Sequence, residues 1–93
     1  MDKKFRQLKF CGDSKSIIQA LAKPHRTAIG QELLELQFGN LDKLKIKPFK
    51  ELPKSGIDKL TISRSGGSFR VIFTAKFGDT IYVLHTYQKK TLK

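Results

Sequence analysis

The sequence has few of the residues on which several common kinds of site depend. Its single cysteine, Cys11, excludes an internal disulfide and a zinc site built from four cysteines, and it fits a reducing compartment. The two histidines, His25 and His85, have no acidic triad beside them, so neither a metal site nor any cofactor is predicted. No apolar run has the length of a signal peptide or a bilayer span, which predicts a cytoplasmic protein with no membrane partner.

Acidic residues are also scarce relative to basic ones. The 93-residue chain has 19 Lys and Arg against 8 Asp and Glu, which gives a formal net charge of +11. Such an excess is typical of proteins that bind a polyanion, most often a nucleic acid. The same positive electrostatic field would also attract an acidic protein or an anionic membrane. Hydrophobic residues form 39% of the chain, enough for one small core, so residues 1–93 are expected to form a single domain.

The pattern of apolar residues predicts an α+β domain with the order β-α-α-β-β-β. Asp13 and Ser14 are typical N-cap residues, Pro24 suits the first turn of a helix, and Gly39 suits its end. The segment 40–53 is rich in lysine and contains Pro48, and we interpret it as a connection rather than a helix. The predicted elements are an edge strand over 4–11, helices over 15–21 and 24–38, and strands over 57–64, 68–76 and 80–87, the last two joined by a Gly78-Asp79 turn.

Two helices can cover only one face of so small a sheet, and the other face is the natural binding surface. Strand side chains alternate between the two faces, so Arg70 is predicted to lie opposite Phe69 and Val71, which should face the helices. The same alternation in the last strand predicts that His85 and Tyr87 share a face with Ile81 and Val83.

Several stretches together resemble the RelE/HigB superfamily of toxin components, and most closely its phage-derived, HigB-like branch. They are the Pro-started helix that ends at Gly39, then Lys47-Pro48-Phe49, then Gly67-Ser-Phe-Arg-Val-Ile-Phe73, then Val83-Leu-His-Thr-Tyr-Gln-Lys-Lys-Thr91. The resemblance implies a RelE-like small twisted, mostly antiparallel sheet with two N-terminal helices on one face. It also implies a small basic ribonuclease that cuts mRNA, often on the ribosome, and a cognate helix-turn-helix antitoxin as partner.

Cleavage of RNA by attack of its own 2′-hydroxyl needs a base, a cation for the phosphorane and an acid for the leaving oxygen. Arg70 is the candidate phosphate clamp, because a guanidinium pairs with phosphate through two hydrogen bonds and stays charged. His85 could transfer a proton, Tyr87 could stack on or orient a base, and Lys89 could hold phosphate or act as a base when crowded by other cations. The remaining candidates, predicted to bind RNA, are Lys45, Lys47, Lys50, Arg64, Lys76 and Lys90.

Three functions remain open at the level of sequence. The first is a metal-independent mRNA endoribonuclease toxin. The second is a basic RNA-binding module of the same fold without catalysis. Two departures from the family favour it: the stretch Lys59-Leu60-Thr61 lacks the arginine that relatives carry there, and the sequence stops at Lys93, where relatives continue into a C-terminal helix. The third is an interaction protein for an acidic partner. In the toxin interpretation, an acidic or amphipathic antitoxin segment is expected to cover the face that carries Arg70.

Overall fold

A computed structural model describes residues 5–52, 54–64 and 67–90, with the side chains of Phe77 and Lys90 excepted. Two helices, one short 3₁₀ turn and five strands form its regular structure. In chain order they are β1 (Gln7–Phe10), α1 (Ser14–Gln19), α2 (Lys23–Phe38), the 3₁₀ turn Leu41–Lys43, β2 (Lys45–Pro48), β3 (Ile57–Arg64), β4 (Gly67–Phe77) and β5 (Thr80–Lys90).

The strands form one sheet in the order β1-β5-β4-β3-β2. The pairs β2–β3, β3–β4 and β4–β5 are antiparallel, whereas β1 lies parallel to β5 at one edge. The predicted α+β class, the edge position of the first strand and the mostly antiparallel sheet are therefore confirmed. The parallel pairing of β1 is possible because two helices lie between β1 and the rest of the sheet in the chain.

The core lies between α2 and one face of the sheet. Ile29, Leu33 and Leu36, which recur at helical spacing, are all buried. They pack against a buried cluster from the strands, made up of Leu60, Ile62, Phe69, Val71, Phe73, Ile81 and Val83. The predicted helix-covered face of β4 is thus confirmed, and α2 ends as predicted at Gly39, which adopts the left-handed conformation with φ of 79°.

Two local predictions were wrong. The segment assigned to a connection contains β2, whose Ile46 pairs with Leu60 and is half-buried, so the sheet has five strands rather than four. Asp13 occupies the N-cap position of α1, as predicted, but its side chain makes no capping hydrogen bond, and Ser14 is the first residue of the helix. The buried hydroxyl of Ser14 donates instead to the carbonyl oxygens of Cys11 at 2.8 Å and Val83 at 3.2 Å, which ties α1 to the end of β1 and to β5. These tertiary contacts override the local capping preference.

Candidate nucleic-acid interface on the open face of the sheet

The face of the sheet opposite the helices, called the open face below, carries two rows of side chains that cross four strands. Strand register places these residues opposite one another at Cα separations of about 4.5–5.5 Å in antiparallel pairs. The first row consists of Lys45, Thr61, Arg70 and Tyr87, in the strand order β2-β3-β4-β5. The second row consists of Lys47, Lys59, Ile72 and His85.

A groove of about 370 Å³ opens beside the first row. It is lined by Leu44, Lys45, Ile46, Lys47, Lys59, Thr61 and Arg70. The lining therefore combines three ammonium groups and one guanidinium with two aliphatic side chains. Such a recess offers cationic partners for phosphate oxygens together with apolar surface for a ribose or a base.

Arg70 lies in this groove with part of its guanidinium unpaired. Its Nε atom is buried, and none of the described residues accepts a hydrogen bond from it. A buried donor without a partner costs free energy, and such atoms in native proteins usually meet a ligand or an ordered water. The Nε hydrogen of an arginine is one of the two donors in a bidentate contact with phosphate, so this arrangement suits an anionic ligand. The prediction that Arg70 lies opposite the helices is confirmed.

A β-bulge at Leu84 decides which β5 residues join Arg70. Phe73 pairs with Val83 and Ile72 pairs with His85, so Leu84 is an extra residue between these two pairs. Val83 is buried in the core, and the extra residue reverses the alternation after it. The prediction that His85 and Tyr87 share a face with Ile81 and Val83 was therefore wrong, because it assumed an unbroken alternation.

The same bulge places an aromatic pair beside the groove. The rings of His85 and Tyr87 are stacked, with centroids 5.8 Å apart and planes inclined by 25°. Tyr87 stands directly opposite Arg70 in the β4–β5 ladder. His85 is the diagonal neighbour of Arg70, and the Cα atoms of these two residues are about 7–8 Å apart. The imidazole of His85 is exposed to solvent, so it can approach a bound nucleic acid.

One of the groove lysines also faces an acid of the helical layer. Burial raises the pKa of Glu32 on α2 above its ordinary value of 4.5, and the charge of Lys45 partly opposes this shift. The charge of Lys45, which lines the groove, therefore also acts on a carboxylate of α2. Lys47, two residues further along β2, is exposed and lies opposite Lys59.

Several sequence-predicted RNA contacts lie elsewhere. Arg64 is on the helix-covered side, where its Nε donates to Nδ1 of His25 at 3.4 Å, and that imidazole contacts the ring of Phe69. The ammonium of Lys76 donates to the carbonyl oxygen of Ser55 at 2.6 Å and so holds the turn before β3. Lys50, which was also predicted to bind RNA, is exposed in the segment that follows β2.

One of the two lysines predicted at the end of β5 extends the open face toward one end of the sheet. Lys89 is exposed, and it pairs with Ser68, the next position on the face of Arg70. Lys89 is therefore a diagonal neighbour of Arg70 on the side away from His85. The side chain of Lys90 lies outside the described residues.

Sequence reasoning did not select Lys59 and Thr61 as groove residues. The stretches Lys-Ile-Lys (45–47) and Lys-Leu-Thr (59–61) could have indicated them. In each stretch one apolar residue lies between two polar residues, which is the pattern of a strand with its apolar side chain toward the core and its polar side chains on the other face. The first of these stretches was interpreted as a connection, so its pairing with the second was not considered.

Within residues 5–52, 54–64 and 67–90, no group of three or more His, Cys, Asp or Glu side chains is placed to hold a metal ion. No helix in the described part of the chain is long and apolar enough to cross a membrane.

Comparison with known proteins gives the family of this chain. Residues 16–93 match the model of the family described as phage derived protein Gp49-like (DUF891). The chain belongs to this family. No curated protein matches the sequence significantly. The Gp49-like match includes α1 from residue 16 onward, all of α2 and all of the strands β2–β5, and therefore every residue of the two rows on the open face.

The fold of this Gp49-like protein is that of a known toxin–antitoxin component. A chain in the crystal structure of the intact E. coli RelBE toxin–antitoxin complex superposes with a TM-score of 0.63 at 12% sequence identity, and the alignment covers 92% of this chain and 99% of that chain. The expected membership in the RelE-like superfamily, on its phage-derived branch, is confirmed by the family match together with this fold.

Proposed function

We propose that this Gp49-like protein is the toxin of a toxin–antitoxin pair and that it cleaves mRNA in the cytoplasm without a metal ion, with the open face as its active site. The observation that carries the proposal is the buried, unpaired Nε of Arg70 in a groove lined by three lysines. Membership in a RelE-like family and the net charge of +11 support the same assignment.

The proposed reaction uses the 2′-hydroxyl of the RNA as nucleophile. A bond forms between the 2′-oxygen and phosphorus, the bond from phosphorus to the 5′-oxygen breaks, and the product ends are a 2′,3′-cyclic phosphate and a 5′-hydroxyl. One proton leaves the 2′-hydroxyl and one reaches the 5′-oxygen. Arg70 stabilises the extra negative charge on the phosphorane, since its guanidinium can donate two parallel hydrogen bonds to the phosphate.

The neighbours of Arg70 supply the remaining roles. His85 accepts the proton from the 2′-hydroxyl, because it is exposed and beside Arg70 and because a neutral imidazole can take up a proton, and the leaving 5′-oxygen takes its proton from solvent. Tyr87, stacked on His85, holds a base or ribose next to the reacting phosphate. Lys47 and Lys59 hold the neighbouring phosphates, and Lys89 holds the backbone on the other side of Arg70.

The partner of this toxin is an antitoxin that blocks the open face. The similar chain comes from a complex of a toxin with its antitoxin, and a face with this many cations suits an acidic segment. Binding of such a segment would lower the exposed positive charge of the groove.

The direct test is cleavage of a defined mRNA by the purified protein, in one arm with ribosomes and the Mg²⁺ they require, and in the other without ribosomes and in the presence of a chelator. We expect cut products that carry a 2′,3′-cyclic phosphate. If the protein cuts under neither condition, the nuclease assignment fails.

One observation favours a second candidate function, an RNA-binding module without catalysis. Thr61 occupies the position directly opposite Arg70 on β3, and Arg70 is the single arginine among the described strand residues of the open face. The phosphorane would therefore have one guanidinium rather than two. RNA binding that weakens steeply with salt, combined with no cleavage, would identify this second function.

A further inference from the structure

The open face continues past β5 onto the edge strand β1. Along β1, Gln7 and Lys9 are exposed, whereas Leu8 and Phe10 are half-buried and pack against the core. Because strand side chains alternate between the two faces, Lys9 lies on the open face. The register places it beside Tyr82 of β5. These two residues belong to neither of the two rows that surround the groove.

The backbone on both sides of Lys9 is bonded to β5 and to the turn before it. The N–H of Gln7 donates to the carbonyl oxygen of Asp79 at 2.8 Å, and the N–H of Cys11 donates to the carbonyl oxygen of Val83 at 2.8 Å. The Cα atom of Lys9 is therefore fixed relative to β5. Its exposed side chain keeps the adaptability of a flexible stem that ends in an ammonium.

Tyr82 continues a column of aromatic side chains along β5. Tyr82 pairs with Thr74 and His85 pairs with Ile72, so both lie on the same face as Tyr87. We call Tyr82, His85 and Tyr87 the aromatic column. Aromatic side chains are a common platform for the bases of single-stranded nucleic acid, because every base has a π-face. The half-buried Tyr82 thus extends the platform formed by the stacked His85 and Tyr87 rings.

Lys9 lies well beyond the reach of a nucleotide bound at Arg70. The strands β4 and β1 are two strand spacings apart, or about 10 Å. Along β5, Tyr82 is four regular strand steps from Tyr87 once the extra residue at the bulge is discounted, or about 13 Å. The Cα atoms of Arg70 and Lys9 are therefore about 16 Å apart. Several nucleotides of one strand can bridge this separation, along a path that follows the aromatic column.

The charge of this part of the sheet suits an RNA backbone. None of the described strand residues on the open face is an aspartate or a glutamate, and Lys9 adds a cation at the edge opposite Lys45 and Lys47. Cations therefore flank the aromatic column on both sides. A lysine on an edge strand can also serve only to prevent pairing with another sheet. That role would have no effect on RNA binding, so the two roles can be separated by experiment.

We propose that Lys9 and Tyr82 form a second RNA subsite, which binds a nucleotide several positions along the strand from the phosphate at Arg70. The ammonium of Lys9 holds a phosphate of that segment, and the ring of Tyr82 packs against a base or a ribose. This inference rests on the proposed function in naming RNA as the ligand, and it adds a minimum length to the substrate. The Gp49-like match begins at residue 16, so the subsite uses a strand outside the matched part of the chain.

The test measures binding of the full chain to RNA oligonucleotides of increasing length in which every ribose carries a 2′-O-methyl group. Such RNA keeps its phosphates and bases but has no 2′-hydroxyl nucleophile, so binding is measured without cleavage. We expect the affinity of the parent to rise once an oligonucleotide spans both Arg70 and Lys9. Lys9→Gln should weaken binding of these long oligonucleotides about three- to tenfold at low salt, and it should reduce the slope of log affinity against log salt by about one. Binding of the shortest oligonucleotides should not change.

Two variants of Tyr82 and one control complete the test. Tyr82→Leu keeps an apolar side chain but removes the ring, and it should weaken binding of the long oligonucleotides about 5–100-fold. Tyr82→Phe keeps the ring and should bind like the parent. Lys15→Gln removes the same charge as Lys9→Gln from an exposed position on α1 and should leave affinity and salt slope unchanged. Unchanged binding of the shortest oligonucleotides shows that each variant is folded.

Four outcomes would overturn the inference. They are equal losses for short and long oligonucleotides, an equal loss in Lys15→Gln, full binding of the long oligonucleotides by Tyr82→Leu, and self-association of Lys9→Gln with unchanged RNA binding. The last of these would assign Lys9 to protection of the edge strand. The cleavage assay is independent of these measurements. Length-dependent binding without cleavage would keep the subsite and end the nuclease assignment, and cleavage by a protein whose RNA affinity does not depend on Lys9 would do the reverse.

Discussion

Arg70 and Tyr87 stand directly opposite each other across the β4–β5 ladder, on the face that the helices leave open. Their pairing brings a guanidinium and a phenol to neighbouring positions although they are far apart in the chain. Lys89 and His85 are the diagonal neighbours of Arg70, so four candidate groups surround one point on the sheet. A phosphate bound to Arg70 would be within reach of all three partners.

Arg70 and Lys47 should respond differently to removal. Arg70→Ala is expected to lower the cleavage rate by about 10²–10³-fold with a much smaller loss of RNA affinity, because the clamp acts mainly on the charge that develops in the transition state. Lys47→Ala is expected to weaken binding and to reduce the slope of log affinity against log salt by about one, with less effect on the rate. Single-turnover cleavage and salt-dependent binding measure both effects. Equal losses of rate and affinity in the two variants would contradict a catalytic role for Arg70.

His85 should control the pH dependence of cleavage. His85→Gln is expected to flatten the rate profile near neutral pH, because glutamine can form hydrogen bonds but cannot exchange a proton in this range. The chain contains one matched control, His25, which lies on the helix-covered side and accepts a hydrogen bond from Arg64. His25→Gln keeps an acceptor and should leave the profile unchanged. If the profile of His85→Gln matches that of the parent, the proton transfer belongs to another group such as Lys89.

The extra residue Leu84 should be dispensable for the positions of His85 and Tyr87. Deletion of Leu84 joins Val83 directly to His85, so regular alternation keeps Val83 in the core and leaves His85 and Tyr87 on the open face beside Arg70. We expect the deletion variant to fold and to cleave mRNA at a rate close to that of the parent. Leu84→Ala, which keeps the residue count, is the control for loss of the side chain alone. Retention of the close contact between the His85 and Tyr87 rings, followed by proton NMR, checks the structural cause, and loss of that contact in the folded deletion variant would contradict it.

The stability of the fold should depend on pH in part through the desolvated carboxylate of Asp58. Burial raises the pKa of Asp58 on β3 above its ordinary value of 3.8. The folded state therefore holds the proton more tightly than the unfolded state, and this group lowers stability as pH rises from the ordinary value through the raised pKa. Asp58→Asn should thus be stabilising relative to the parent at about pH 7 and less so at about pH 3, as measured by urea unfolding. The control is Asp42→Asn, at an exposed position. A larger benefit of Asp58→Asn at the lower pH would contradict the direction of the shift.

Local patterns were sufficient for most of the fold. Helix α2 has apolar residues at helical spacing between Pro24 and Gly39, and β3 was predicted with its observed bounds because its alternation is regular. Strand β2 was missed because four residues ending in a proline give a weak local signal, and it forms only by pairing with β3. Such pairing depends on residues distant in the chain, which a local pattern does not contain.

The candidate site could be predicted only in part for a similar reason. Residue type indicated Arg70, His85 and Tyr87, but their common face depends on the bulge, which no turn residue marks in Val83-Leu84-His85. Arg64 was selected by its charge alone. Its position beside His25 follows from the packing of α2 on β3, which the sequence does not specify locally.

The parallel edge strand has a consequence for synthesis of the protein. β1 is made before the other four strands of the sheet, yet its partner is β5, the last of the five along the chain. The sheet cannot close around β1 until β5 has been made, and both rows of the open face are incomplete before then. A nascent chain that lacks β5 therefore lacks Tyr87 and His85, so Arg70 has neither of these aromatic neighbours until the sheet is complete.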